Sequence, residues 1–201
     1  MKRVIISVIN DLVTDQRVNK SCMALQEAGF EVLLVGCRQR KSPPMDTRPY
    51  ATRRMKLLFE KGPCFYAEFN IRLFFFLLFH RANLLLSNDL DTILPTYFIA
   101  RLKRIRMIFD SHEYFTETPE LVHRPRVQRV WKRIEEYVVP KLDEMITVNE
   151  SIANLFREKY HINVHVIRNI PLRQALPPKG DRQTLGLPAD KHLLVLQGSG
   201  I

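Results

Sequence analysis

Short apolar runs alternate with amphipathic stretches along most of the chain. Residues 3–9 form an apolar run rich in β-branched side chains, and residues 30–36 form a second one. Between them, Val18, Cys22 and Leu25 recur at spacings of three and four, which is the period of a helix. The pattern therefore predicts a strand, a helix and a second strand. Both strands have too many consecutive apolar residues for one of their faces to lie in water, which favours central strands of a parallel sheet.

The same alternation continues to residue 167. It predicts further strands at 50–55, 83–87, 106–110, 144–148 and 164–167, and helices at 64–79, 92–104, 127–139 and 150–160. Connections between parallel strands cross over one face of the sheet and are right-handed, so repeated strand and helix units place helices on both faces. We therefore predict an α/β fold with a Rossmann-like, doubly wound parallel sheet.

The periodic pattern ends near residue 171. Residues 172–191 include Pro177, Pro178 and several charged side chains, which is typical of a linker. Residues 192–201 form an apolar run followed by a glycine-containing turn, and a strand and turn alone cannot form a domain. We expect residues 1–171 to form one domain, 172–191 a linker, and 192–201 the first strand of a second domain that continues beyond this chain.

Charge and cysteine content narrow the classes of partner. The 201 residues include 31 Lys and Arg against 21 Asp and Glu, and the net charge of +10 attracts anions. Sugar nucleotides, phospholipid surfaces and nucleic acid are the candidate partners. Nucleic acid has only the net charge in its favour, since no stacking-aromatic or helix-turn-helix pattern is present, and we expect none. The three cysteines lack the spacing of a disulfide framework or a zinc site.

The longest apolar run, residues 73–79, is far shorter than the roughly 20 residues that cross a bilayer. We predict that this run packs in the core beside the sheet, with docking on a membrane as the alternative. Two basic segments, residues 101–106 and 124–133, favour attraction to anionic lipid or to a lipid-diphosphate acceptor, or else are solvated helix faces.

Polar side chains follow most of the predicted strands. In an open parallel sheet, ligands bind beyond the carboxyl ends of the strands, where loops and helix N-termini present polar groups. The candidate residues there are Asn10, Asp11, Thr14 and Arg17 after the first strand, Asn88 and Asp89 after the fourth, Asp110, His112 and Glu113 at the fifth, Asn149 after the sixth, and Arg168 and Asn169 after the seventh.

Several of these polar residues have a purely structural alternative as helix caps. Thr14 or Asp15, Asp91 and Asn149 each directly precede or begin a predicted helix, where short polar side chains satisfy free N–H groups. The segment from Asp110 to Glu113 is different, because three ionisable groups within four residues at a strand end form neither a cap nor a common turn. This segment favours a functional site.

Three chemistries are excluded or disfavoured by the pattern of residues. Asp110 and His112 are the only pair with plausible metal-ligand geometry and have no identifiable third ligand, so we expect no metal. No Gly-x-Gly-x-x-Gly follows the first strand and no Gly-Lys-Ser/Thr occurs, which excludes a dinucleotide fingerprint and a P-loop.

Five motifs, in order along the chain, carry a resemblance to a known family. They are Thr-Asp-Gln-Arg-Val at 14–18, Ser-Asn-Asp-Leu-Asp-Thr at 87–92, Asp-Ser-His-Glu at 110–113, Val-Asn-Glu-Ser at 148–151, and Val-Ile-Arg-Asn-Ile-Pro at 166–171. With these motifs the chain resembles the N-terminal, acceptor-side domain of retaining GT-B glycosyltransferases of the family 4 group. It departs from that family in the loop at 10–13, where many members have a pair of glycines.

The resemblance implies a reaction and a set of roles. A sugar would move from a nucleoside diphosphate to an acceptor hydroxyl with its anomeric configuration kept, without a metal or other cofactor. His112 would lie in the cleft between two domains, binding a donor-sugar hydroxyl or positioning the acceptor, and Asp110 or Glu113 would orient its imidazole. The remaining candidates would bind substrate, namely Asn10, Asp11, Thr14, Arg17, Asn88, Asp89, Asn149, Arg168 and Asn169.

The resemblance also implies partners and a location. The partners would be a nucleotide sugar and a glycan or lipid-linked acceptor, used by a cytoplasmic hexosyltransferase that is peripheral on the inner face of an anionic membrane and serves cell-envelope or exopolysaccharide synthesis. The chain alone is expected to be inactive, since the donor contacts would lie in the second domain. The alternatives are a non-catalytic binding or scaffolding module and a GT-B epimerase acting on sugar nucleotides.

Overall fold

The computed structural model describes residues 1–170 and 180–195. The chain divides into two compact units, Met1–Asn169 and Ile170–Ile201. The strands of the first unit are β1 (Arg3–Asp11), β2 (Glu31–Arg38), β3 (Ala51–Lys56), β4 (Leu84–Asn88), β5 (Arg106–Ser111), β6 (Glu144–Thr147) and β7 (Asn163–Val166). Its helices are α1 (Gln16–Glu27), α2 (Gly62–Phe79), α3 (Ile93–Lys103), α4 (Pro119–Val122), α5 (Pro125–Val138) and α6 (Glu150–Tyr160).

All seven strands belong to one parallel sheet with the order β3-β2-β1-β4-β5-β6-β7. The order reverses direction at β1 and β4, which is the switch point where open α/β sheets form a crevice for ligands. The Rossmann-like parallel sheet predicted from the sequence is therefore confirmed.

Alternate residues of the central strands pack on opposite faces of the sheet. Val4 and Ile6 of β1 pack with α1, whereas Ile5 and Ile9 pack with α2 and α3 on the other face. A third cluster of buried side chains, centred on Phe109, joins β5, β6 and β7 to α3, α5 and α6. Helices lie on both faces, as predicted, but the distribution is unequal, with α1 alone on its face among the described residues.

The carboxyl end of β1 differs from the sequence prediction. The strand continues through Asn10 and Asp11, which were expected in a loop, and its register with β2 shifts between Ser7 and Asp11. Gly36 of β2 makes this possible, because a Cβ there would lie 2.3 Å from the Leu12 side chain and 2.9 Å from the Asn10 carbonyl oxygen. The close approach that a glycine permits therefore occurs on β2 rather than in the loop after β1.

The apolar run at residues 73–79 lies in the second half of α2. Leu73 and Leu77 are in the core, while Phe75 and Phe79 are exposed. The prediction of core packing is therefore confirmed for one side of the helix and wrong for the other.

Residues 180–195, the described stretch of the second unit beyond Ile170, contain little regular structure. Residues 182–186 form a turn, which Asp181 caps by accepting a hydrogen bond from the Thr184 N–H at 2.7 Å. His192 to Val195 have no regular secondary structure, and residues 196–201 of the predicted strand and turn lie outside the described residues, as do 171–179 of the predicted linker region. The domain boundaries at 171 and 191 stay predictions.

Candidate functional site

Four of the candidate side chains meet beyond the carboxyl ends of β4 and β5. They are Arg17, Asp89, Asp110 and His112, called here the strand-end cluster. Asn88, the last residue of β4, pairs in register with Asp110 of β5, so the residues that follow both strands begin side by side. The Asp89 N–H also donates to the Asp110 carbonyl oxygen at 2.9 Å, which fixes the two loops together.

His112 lies between two carboxylates. Its Nδ1 is 3.2 Å from Oδ2 of Asp89, and its backbone N–H donates to Oδ1 of the same residue at 3.0 Å. On the other side of the ring, Nε2 is 3.6 Å from Oδ2 of Asp110, which is beyond hydrogen-bond distance. Nε2 is buried and has no hydrogen-bond partner among the described residues, so one donor of this ring has no acceptor.

The two carboxylates determine the protonation state of the imidazole. Burial by itself would lower the pKa of His112, but the interactions with Asp110 and Asp89 and their negative charges outweigh it and raise the pKa to about 10. At neutral pH the ring is therefore an imidazolium. Both of its nitrogens then carry protons, which makes His112 a hydrogen-bond donor and excludes it as a general base in this state.

Arg17 connects this site to α1. One guanidinium nitrogen lies 2.7 Å from Oδ1 of Asp110, and the other terminal nitrogen donates to the Ile167 carbonyl oxygen at 2.9 Å. Both side chains of the ion pair are almost fully buried. With Asp89 and Asp110 negative and Arg17 and His112 positive, the strand-end cluster has no net charge, although it presents strong local dipoles.

Asp89 has an unusual backbone conformation. Its φ of 58° and ψ of 167° fall in a region that glycine alone adopts readily. Such strain persists only where neighbouring contacts hold the residue in place, and both carboxylate oxygens of Asp89 contact His112. Strained residues of this kind concentrate at functional sites, which supports a ligand-binding role for this loop.

Two further buried polar residues border the strand-end cluster. The Asn88 side-chain amide donates to the Ser7 carbonyl oxygen at 3.1 Å, and its own oxygen is buried with no hydrogen-bond partner among the described residues. Oδ1 of Asp91 is likewise buried and has no hydrogen-bond partner among the described residues. Burial, and then the nearby charge of Asp89, raise the pKa of Asp91 well above its usual value, which favours the neutral acid.

The predicted capping role of Asp91 is wrong. Asp91 lies within a short 3-10 turn, Leu90–Thr92, and α3 begins after Thr92. The capping predictions are confirmed elsewhere, since Asp15 accepts from the Val18 N–H at 3.0 Å and Asn149 accepts from the Ile152 N–H at 2.9 Å. The role of Asn149 in substrate binding stays a prediction.

Asp11 has a partner outside the strand-end cluster. Both of its carboxylate oxygens contact one terminal nitrogen of Arg54 on β3, at 2.8 and 3.0 Å, and the Val13 N–H donates to it at 3.3 Å. Arg54 was not among the candidate residues predicted from the sequence. Arg54 and Lys56 are two residues apart in a short strand, so their side chains lie on the same face. This spacing was the sequence signal that could have predicted a polar face on β3. Asn10 and Thr14 remain exposed near this pair.

Glu113 does not orient the imidazole, contrary to one of the two expectations for this role. Its side chain is exposed, and no hydrogen bond or ion pair joins it to His112 within the described part of the chain. Partial desolvation, followed by the charges of Asp89 and Glu120, raises the pKa of Glu113. Asp89 contacts the ring instead, which the sequence could not indicate because β4 and β5 meet only in the fold.

A cavity of about 380 Å³ lies between α1 and the sheet. Arg17 and Asp110 line it, together with apolar side chains of β4, β5 and β6. Arg168 and Asn169, two of the predicted substrate-binding residues, also line it, and Asn169 accepts a hydrogen bond from Lys20 at 3.2 Å. The fold thus places Arg17, Asp110, Arg168 and Asn169 along one concave surface.

The strand-end cluster and this cavity are suited to a polar, uncharged or anionic organic ligand. An imidazolium and guanidinium groups donate hydrogen bonds to hydroxyl and phosphate oxygens, and carboxylates accept them from hydroxyls. In residues 1–170 and 180–195, no group of three or more His, Cys, Asp or Glu side chains is placed to hold a metal ion.

Comparison with known proteins gives a family and a set of similar folds. Residues 17–170 match the family model described as Glycosyltransferase Family 4. No curated protein sequence matches significantly. Sucrose-phosphate synthase from Thermosynechococcus elongatus is similar in structure, with a TM-score of 0.63 and 15% identity over 94% of this chain and 54% of that one.

Two structures with bound nucleotides are also similar. UGT2 of Phytolacca americana, complexed with UDP-2fluoro-glucose and pterostilbene, has a TM-score of 0.58 and 11% identity over 86% of this chain and 55% of its own. TcCGT1 in complex with UDP has a TM-score of 0.60 and 8% identity over 92% of this chain and 54% of its own. The chain therefore spans about half the length of each of these three proteins.

Proposed function

The chain belongs to Glycosyltransferase Family 4, and from this premise we propose that its parent protein transfers a sugar from a nucleoside-diphosphate sugar to an acceptor hydroxyl with retention of the anomeric configuration. The observation that carries the proposal is the strand-end cluster. It lies within the matched residues and at the sheet edge where open α/β folds bind ligands.

The donor is proposed from the similar structures. UGT2 is bound to UDP-2fluoro-glucose and TcCGT1 to UDP, which supports a nucleotide sugar as the donor here. The chain corresponds to about half of each of those proteins. We propose that most contacts with the nucleotide are made by the part of the parent protein that corresponds to their other half. The 201-residue chain alone is then expected to lack turnover.

The proposed role of His112 is hydrogen-bond donation to a sugar oxygen. Its raised pKa keeps the ring charged near neutral pH, and the Nε2 proton has no acceptor among the described residues. Asp89 and Asp110 orient the ring from both sides, and Arg17 fixes Asp110. A donor group held in place before reaction stabilises charge that develops on the substrate without the cost of reorganising it.

The acceptor is proposed to approach from the same edge of the sheet. Asn10, Thr14 and Asn149 are exposed there, and their side chains offer hydrogen bonds to hydroxyl groups. A glycan or a lipid-linked glycan in envelope or exopolysaccharide synthesis fits this polar edge together with the net charge of +10. Basic side chains, rather than a metal, are proposed to meet the charge of the leaving diphosphate.

The test uses the complete gene product that contains this chain. It is incubated with UDP-glucose, UDP-N-acetylglucosamine or GDP-mannose and with glycan and lipid-linked acceptors, and the release of nucleoside diphosphate is measured with and without acceptor. Acceptor-dependent release supports the proposal if NMR shows that the product keeps the anomeric configuration of the donor sugar, whereas an inverted product would contradict retention. Epimerised donor formed without an acceptor, or nucleotide-sugar binding without any transfer, would contradict it.

The role of His112 is tested separately with His112→Ala. Loss of a positioned donor group is expected to lower kcat by about two to three orders of magnitude. His165→Ala is the matched control, since His165 is an exposed histidine on β7, and it is expected to retain the kcat of the unmodified protein. A correctly folded His112→Ala protein with near-normal kcat would overturn this role without affecting the proposed reaction.

A further inference from the structure

The outer face of α2 and α3 is a candidate interaction surface outside the strand-end cluster. The two helices run side by side in the same direction. In the middle of α2 the Asn70 side chain donates to the carbonyl oxygen of Asp91, in the turn before α3, at 2.8 Å. At the C-terminal ends of the two helices, Lys103 donates to the Leu77 and His80 carbonyl oxygens at 2.7 Å each. These bonds hold the pair as one rigid layer over the sheet.

This layer exposes large apolar side chains on the side facing away from the sheet. The side chains are Ile71, Phe75 and Phe79 of α2 and Phe98 and Leu102 of α3, called here the apolar surface, and their exposed fractions lie between 44% and 78%. Ile71, Phe75 and Phe98 also line one shallow apolar cleft between the helices, so these three members adjoin each other. Phe79 and Leu102 each follow one of them by four residues, which places them one helical turn further along the same side. Contiguous exposed apolar groups of this size mark an interaction site in a folded protein.

The opposite side of α2 determines how this surface can be used. By length and composition alone, α2 is the one helix among the described residues that could cross a membrane. However, Phe69, Leu73 and Leu77 are almost fully buried in the core beneath it. Crossing a bilayer would expose the core that these residues fill, whereas the apolar surface is free to lie on a bilayer with the fold intact.

Basic side chains occur on the same two helices as the apolar surface. Exposed arginines are found on both helices and at their C-terminal ends, namely Arg72, Arg81, Arg101 and Arg104. Helix α3 contains no acidic residue, and Glu68, the one acidic residue of α2, is paired with Arg72 at 2.7 Å. This charge pattern is complementary to an anionic lipid headgroup layer.

From these observations we infer that the apolar surface docks on an anionic lipid bilayer, with Phe75 and Phe79 inserted at the headgroup boundary and Arg101 and Arg104 on the anionic headgroups. Large aromatic side chains and adjoining arginines are the combination that binds a membrane interface, where apolar burial and electrostatic attraction add. This inference concerns a surface that shares no residue with the strand-end cluster, and it does not depend on the proposed reaction.

The test is co-sedimentation of the 201-residue chain with lipid vesicles. The vesicles contain phosphatidylcholine alone or phosphatidylcholine mixed with phosphatidylglycerol, at low and at high salt. We expect binding to the anionic vesicles, weakened by high salt because salt screens the attraction. Equal binding to both kinds of vesicle at both salt concentrations, or no binding, would contradict the inference.

Three variants separate the apolar and the electrostatic contributions. Phe75→Ser with Phe79→Ser is expected to weaken binding by about tenfold or more, because two inserted side chains are lost. Arg101→Gln with Arg104→Gln is expected to remove most of the preference for anionic vesicles. Leu155→Ser is the matched control, since Leu155 is an exposed apolar residue of α6, and it is expected to bind like the unmodified chain.

The remaining candidate for this surface is a second copy of the chain. Light scattering measures the molar mass of the chain and of the Phe75→Ser, Phe79→Ser variant in the absence of vesicles. A monomer in both cases is expected. A dimer that dissociates in the variant, together with no vesicle binding, would assign the surface to self-association and overturn the inference.

Discussion

The Arg54–Asp11 and Arg17–Asp110 ion pairs have nearly the same length, 2.8 and 2.7 Å, and both lie near the carboxyl edge of the sheet. Asp11 uses both of its oxygens, since Arg54 contacts each of them and the Val13 N–H donates to one. Both carboxylate oxygens of Asp11 are therefore engaged in contacts that fix the loop after β1.

Asp110 leaves part of its capacity unused. Arg17 takes one oxygen, and the other faces Nε2 of His112 at 3.6 Å without forming a hydrogen bond. Nearby, Asp91 has a buried oxygen with no partner among the described residues, and Asp89 has a strained backbone. The Arg54–Asp11 pair therefore stabilises the fold, whereas the Arg17–Asp110 pair belongs to a site whose hydrogen bonds are incomplete. An incomplete set of hydrogen bonds is expected where a ligand completes them.

The largest expected effect concerns the pH dependence that His112 confers on folding. Its pKa is about 10 in the folded chain and about 6.5 when unfolded. A raised folded pKa stabilises the fold fully below about pH 6.5, and the stabilisation is lost as the pH rises towards 10. We expect the free energy of unfolding to fall by on the order of 4 kcal/mol across this window, since one pKa unit corresponds to about 1.4 kcal/mol. Urea denaturation at a series of pH values measures this change.

The His112→Gln variant isolates this contribution. Glutamine cannot titrate, so the difference in free energy of unfolding between the variant and the unmodified chain should vary with pH as His112 alone contributes. A constant difference between pH 6.5 and 10 would mean that Asp89 and Asp110 do not hold the imidazolium.

A second prediction contrasts two buried aspartates by the sign of their effects. Asp11→Asn removes one partner of a nearly buried ion pair and is expected to lower the free energy of unfolding by about 2 kcal/mol. Asp91→Asn replaces a carboxyl group whose pKa is raised by burial and by Asp89, and is expected to increase it by about 1 kcal/mol at alkaline pH.

The pH dependence of the Asp91→Asn effect has a definite direction. An acid with a raised folded pKa destabilises the fold as the pH rises above its unfolded pKa near 3.9, since the charged form is favoured only in the unfolded chain. The gain from Asp91→Asn should therefore shrink as the pH falls towards about 4. A loss of stability in Asp91→Asn, similar to that in Asp11→Asn, would show that Asp91 is paired in solution.

Much of this fold was predictable because its signals are local. The apolar runs that predict β1, β2 and β4 belong to strands buried on both faces, and such runs are recognisable without knowledge of the neighbouring strands. The caps at Asp15 and Asn149 are also local, since each accepts a hydrogen bond from a backbone N–H three residues further along.

The geometry of the site was predictable only in part. The segment from Asp110 to Glu113 was recognised from its density of ionisable groups, but sequence spacing could not separate Asp89 from Glu113 as the partner of His112. That choice depends on the register of β4 against β5. Asp91 was expected to cap a helix because a helix follows it, and the intervening 3-10 turn instead places it in the interior.

The smallest expected effect compares three residues that share a positive φ. Arg104 and His161, both with φ of 54°, end helices in the left-handed conformation, where glycine has no steric cost. Arg104→Gly and His161→Gly are each expected to raise the free energy of unfolding by up to about 1 kcal/mol.

Asp89→Gly relieves strain at φ of 58° but removes both contacts with His112. The free energy of unfolding is expected to fall by about 1 kcal/mol, because the hydrogen bonds to a charged group outweigh the strain. Urea denaturation of the three variants at neutral pH measures these changes. A gain in Asp89→Gly equal to that at the helix ends would mean that Asp89 is merely strained, and that His112 is held by Asp110 alone.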